Sequence, residues 1–135
     1  MIGGRDTPDT AARELVRAAA RAGFVSCTAN TASLIDDRLA DDLAATAQWL
    51  ANGRYGTGRI GAIGLAGGIA ATVALATGPA LRATVLFGGS PTVTASPALL
   101  AFRHASDGWS TAGAPGSDWA TAWEQAMLFL RQRLT

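Results

Sequence analysis

The sequence contains no lysine; all 11 of its basic residues are arginine. That absence removes Schiff-base catalysis and any phosphate loop built on a lysine. Cysteine and histidine occur once each, as Cys27 and His104. One cysteine forms no internal disulfide, and one of each assembles no Cys/His metal site, so neither a structural metal nor another cofactor is expected. Charge is sparse and balanced, with 11 basic residues against 10 acidic ones for a net charge of +1. The arginines are spread along the chain, which does not make the electrostatic footprint of a nucleic-acid binder. Long apolar runs are missing too. The longest, Ile60 to Ala76, is rich in glycine and alanine and holds a turn signal, and Arg5 and Asp6 stand where a signal peptide would carry its apolar region. The expectation is a cytoplasmic protein without a membrane or nucleic-acid partner.

What remains is 135 residues, 49% hydrophobic, enough for one domain over 1–135 with a real core. Strand and helix signals take turns along it. Thr7-Pro8-Asp9 is a helix start, with a capping threonine, proline at the first helical position and an acid against the dipole; the helix runs to Ala22 and stops at Gly23. Phe24 to Thr28 reads as a strand of β-formers. A second helix covers Asp36 to Asn52, with Leu39, Leu43, Ala47 and Leu50 on one face. Arg59 to Gly64 is the next strand, Gly67 to Thr77 a third helix, Leu81 to Phe87 a strand closed by Gly88-Gly89, and Ala98 to Phe102 another. The closing helix begins near Ser117 or Asp118. Such alternation predicts an α/β fold, a short and mostly parallel sheet flanked by helices on both faces.

Three groups of residues invite a chemical reading and receive a structural one. Trp119, Trp123 and Met127 recur at helical spacing, which signifies core packing rather than a cofactor box. Asp36, Asp37, Asp41 and Asp42 stand at the start and outer face of a helix, where they serve the dipole and solubility rather than a metal. Cys27 reads as a small buried residue rather than a nucleophile. The informative segment is Gly64-Leu65-Ala66-Gly67-Gly68, in which a strand passes through glycines into a small-residue helix. This nearly repeats the spacing of a nucleophile elbow, G-x-S-x-G, with Ala66 in the nucleophile's place. A dinucleotide loop is the competing reading, but it calls for an acid near the end of the next strand, where Leu86-Phe87-Gly88 stands.

Extended either way from the elbow, the chain resembles the dienelactone hydrolase family of α/β hydrolases. Asp9 to Asn30, Asp41 to Asn52, Arg59 to the elbow, Arg82 to Gly89, and Phe102 to Trp109 with the final helix are similar to successive parts of that family. The resemblance implies a truncated α/β-hydrolase fold whose first strands would precede Met1. It implies an oxyanion hole from Gly3 or Gly4 in the oxyanion loop and from the amide of Gly67, with Trp109 near the ligand. The catalytic residues depart from the family. Ala66 has no group to attack with. In one alignment Asp107 takes the histidine's place and His104 lies three residues earlier; in another Asp107 is the acid and the histidine is missing. Neither alignment yields a triad.

Three functions follow as expectations. In the first, a non-hydrolytic descendant binds a small carbonyl compound, steering an isomerisation or cyclisation or only holding it. In the second, an ester or lactone hydrolase uses Asp107 or His104 to activate water, or Ala66 replaces a serine to trap a ligand. In the third, the fold is a structural or interaction module. A bare strand edge at Phe24 to Cys27, without charge or proline to protect it, also predicts a homodimer.

Overall fold

The computed structural model describes residues 2–3, 9–30, 39–54, 56, 58–65, 81–88, 99–111 and 115–134. In chain order the elements are β1 (Ile2–Gly3), α1 (Asp9–Arg21), β2 (Ala29–Asn30), α2 (Leu39–Ala51), β3 (Ile60–Leu65), β4 (Leu81–Phe87), β5 (Leu99–Ala105), β6 (Gly108–Ser110) and α3 (Trp119–Leu134). The helix expected over Gly67 to Thr77 lies outside the described residues. The strands form one open sheet in the order β2-β1-β3-β4-β5-β6. Every neighbouring pair is parallel except β5 and β6, which form an antiparallel hairpin. The chain is thus an α/β protein.

β4 sits in the middle of this order and is apolar on both faces, as a parallel strand covered on both sides must be. Its residues Ala83, Thr84, Val85, Leu86 and Phe87 are all buried. Residues of one parity, Ile63 and Leu65 of β3 with Ala83, Val85 and Phe87 of β4, join Phe102 of β5 in a single cluster. Ala19 of α1 and Ala122, Ala126, Met127 and Leu130 of α3 complete it. Small residues on both helices let them approach the sheet closely, and Arg131 of α3 donates to the carbonyl oxygen of Ala22 at 2.8 Å, tying the end of α1 to α3. Leu43 and Ala47 of α2 are buried apart from this cluster, and α2 packs against β3.

The segment Phe24 to Thr28 corrects the sequence reading, because it is not a strand; pairing with β1 starts only at Ala29. The cause is the way α1 ends. Gly23 takes a φ of 96°, the Gly23 amide donates to Ala20 and the Phe24 amide to Ala19, the paired bonds of a Schellman cap. Such a cap turns its following apolar residue back onto the helix, and Phe24 packs on the cluster that holds Ala19. Ser26 Oγ then donates to the Val16 carbonyl at 3.1 Å, so the segment follows α1 and not the sheet. The bare edge at Phe24 to Cys27, on which the expected dimer rested, is therefore not an edge. The strand at that end of the sheet is β2, two residues long.

α3 starts where the sequence places it. Asp118 Oδ1 accepts from the Thr121 amide at 2.8 Å, an N-cap bond that satisfies one free donor of the first turn. The Thr121 hydroxyl and then the Thr121 amide hold the Asp118 carboxyl below its ordinary value. Trp119 and Trp123 lie on the core side of α3, half-buried, as their spacing predicts.

Candidate functional site

A parallel sheet collects the carboxyl ends of its strands at one rim. Here the order reverses at β1: β2 lies on one side of it and β3 on the other. Open α/β sheets bind ligands at such a reversal, because the two flanking connections leave in opposite directions and open a crevice between them. Ile2 pairs with Gly64, so the ends of β1 and β3, Gly3 and Leu65, come side by side. The residues that follow them in the chain are Gly4 on one strand and Ala66-Gly67 on the other. Gly4, Ala66 and Gly67 themselves lie outside the described residues.

The other half of the rim is the β5–β6 hairpin. Phe87 and Phe102 are the last partners of β4 and β5, and the Gly88 amide closes the ladder on the Phe102 carbonyl at 3.0 Å. β5 continues for three residues beyond that point, turns through Ser106-Asp107, and returns as β6. The histidine loop implied by the resemblance is therefore a tight hairpin. The Asp107-Gly108 pair ahead of Trp109 is the sequence signal that would have found it.

Within the hairpin His104 and Trp109 are cross-strand partners, with ring centroids 4.9 Å apart. His104 is exposed and Trp109 half-buried. Trp109 sets its edge against Phe87 at 5.7 Å and meets Trp119 at 5.4 Å. Phe87 stacks on Phe102 at 4.9 Å with 9° between the rings. The result is a continuous aromatic wall from the buried end of β4 out to His104. Helical spacing marks Trp119 and Trp123 as core, but Phe87 and His104, which extend the group to the rim, carry no such periodic signal. Alternation along β5 places His104 on the face of Phe102, and this was the available signal.

Asp107 is placed differently. It sits exposed in the hairpin turn, and its Oδ2 accepts from the Gly116 amide at 3.2 Å. The chain after the hairpin returns along β6: the Trp109 amide donates to the Ser117 carbonyl and the Ser117 amide to the Trp109 carbonyl, both at 2.7 Å, and Ser117 Oγ reaches the same Trp109 carbonyl at 3.1 Å. These bonds cover the free edge of β6, which an open sheet has to protect. They also fix the turn. The structure thus brings His104 and Trp109 together and directs the Asp107 carboxylate to Gly116.

Of the residues set aside in the sequence, Asp41 and Asp42 are exposed in the first turn of α2, and Cys27 is half-buried. Among the described residues no group of three or more His, Cys, Asp or Glu side chains is placed to hold a metal ion. No helix among them is long and apolar enough to cross a membrane. A scan against protein-family models and searches of curated proteins and of solved structures find no match to this chain.

Proposed function

We propose that this chain is a non-hydrolytic relative of the α/β hydrolases, similar to the dienelactone hydrolase family. Its sheet is a truncated hydrolase sheet, with α1 and α3 on one face and α2 on the other. The rim at the reversal binds a small carbonyl compound, steering an isomerisation or cyclisation of it or holding it. One observation carries the proposal. An oxyanion hole needs two amides aimed at one oxygen, and the pairing of Ile2 with Gly64 makes neighbours of the two strand ends that lead into Gly4 and into Ala66-Gly67. Gly4 and Gly67 carry no side chain that could shield an amide. Ala66 supplies no nucleophile, so a carbonyl oxygen held there is polarised but not attacked by the protein. A hole without its triad still accelerates reactions on the order of 10³ to 10⁴ over water in a triad-deleted protease. That suits a binder of carbonyls or enolates and is far too little for an efficient esterase. The aromatic wall ending in Trp109 gives the apolar part of such a ligand a surface to lie on.

Amide chemical-shift mapping with dienelactone as the probe tests this reading. Shifts gathered at Gly3, Gly4, Gly67 and the Trp109 indole, with the lactone recovered intact, are the expected result. Saturable hydrolysis that disappears in Asp107→Asn or His104→Gln would move the protein to the water-activating hydrolase reading. Absence of shifts at those glycines would remove the binding site itself.

A further inference from the structure

The outer faces of two helices carry opposite chemistry. On α2, Leu43 and Ala47 point into the protein, while Trp49 on the other side is 69% exposed. Asp41 and Asp42 share that outer side and are exposed. Asp42 and Trp49 are seven residues apart, two helical turns, and so stand in line about 10 Å from each other. Trp49 stands in the last turn of α2 with most of its ring in solvent, and an exposed indole offers the largest single contact a side chain can make.

On α1 the buried side is Leu15, Ala19 and Ala22. Opposite to it Arg13, Arg17 and Arg21 follow one another at four-residue intervals, all exposed, with Glu14 as the acid at their flank. First to last they span about 12 Å, slightly more than the roughly 10 Å from Asp42 to Trp49. A guanidinium stacks on an indole better than any other cation, and its neighbours in the row are then in reach of Asp41 and Asp42.

We propose that the Trp49 face of α2 in one copy of the chain docks on the arginine face of α1 in a second copy. The two surfaces are different, so the contact is heterologous, and each copy keeps one donor face and one acceptor face for further association. This replaces the strand-edge dimer with a contact between helices, and it is independent of the carbonyl site at the sheet rim.

Sedimentation velocity of the whole chain over a range of concentrations, at low and at high salt, provides the test. The weight-average mass should rise with concentration at low salt, and salt should reduce it by screening the arginine–aspartate part. Trp49→Ala and Arg17→Glu should each weaken self-association by about tenfold or more. Mixed together they should form a discrete one-to-one dimer that grows no further, because the first retains its arginine face and the second its tryptophan face. A wild-type chain that stays monomeric throughout overturns the proposal. So does a mixture that fails to pair, or self-association that responds to only one of the two substitutions, as non-specific adhesion by an exposed tryptophan would.

Discussion

Replacing Gly108 by alanine tests whether the hairpin and the segment that returns along it form one clamped unit. Gly108 has a φ of 102°, and a Cβ built on it overlaps the carbonyl oxygen of Ser117. That oxygen belongs to backbone, so no rotamer change makes room, and Ser117 must retreat. Its retreat breaks the reciprocal 2.7 Å bonds with Trp109. Backbone strain of this kind costs about 1–3 kcal/mol, and two hydrogen bonds about 0.5–1.5 kcal/mol each, for a loss of about 2–6 kcal/mol. Gly23→Ala is the control. Gly23 has nearly the same backbone, φ 96°, but a Cβ there meets nothing within 4 Å. Its loss is the strain alone, partly offset because alanine restricts the unfolded chain. Urea unfolding followed by tryptophan fluorescence should therefore rank Gly108→Ala below Gly23→Ala by about 1–3 kcal/mol. Near-UV circular dichroism should change only in the Gly108 variant, since Trp109 and Trp119 are coupled through the displaced segment. Equal losses in the two variants, or a native near-UV spectrum for Gly108→Ala, would refute the clamp.

Phe102, 1% exposed and stacked on Phe87, anchors the start of the aromatic wall, so Phe102→Ala should lower unfolding stability by about 3–5 kcal/mol in the same urea assay. Ala66→Ser should leave hydrolysis of activated esters at the buffer rate, because a nucleophile without its base and acid recovers almost none of what the three achieve together; a clear burst of acylation would contradict this. Asp118 has its carboxyl lowered by Thr121, so its contribution to stability is complete above the unfolded value and is lost as pH falls through the folded one. Asp118→Asn, which keeps the cap without titrating, should show a shallower fall in thermal midpoint than the wild type over that acid range.

The parts of the fold legible in the sequence are those in which one local signal has no competitor. Leu81 to Phe87 is a mainly apolar run of strand formers bounded by Gly78-Pro79 and Gly88-Gly89, and β4 occupies the same seven residues. Phe24 to Thr28 fails because strand propensity is a preference for packing on a half-buried surface, and α1 offers Phe24 such a surface one residue after the cap. β5 extends past the expected Phe102 to Ala105 for a related reason. Arg103, His104 and Ala105 are exposed and paired only to β6, so they show no apolar pattern. Their extended form is enforced from the far side of the Ser106-Asp107 turn.

The rim was legible in a different way. The glycine spacing at 64–68 points to a tight strand-to-helix turn from local chemistry alone, while the reversal of strand order at β1 depends on the pairing of Ile2 with Gly64, far apart in the chain. Local turn chemistry and long-range pairing thus meet where β1 and β3 end. For His104 and Asp107 local sequence leaves two alignments open, because three residues of separation do not fix which side chains face one another. The hairpin supplies the missing geometry. His104 lies within a strand and is held by the ring of its partner Trp109, whereas Asp107 lies in the turn and is held by the Gly116 amide.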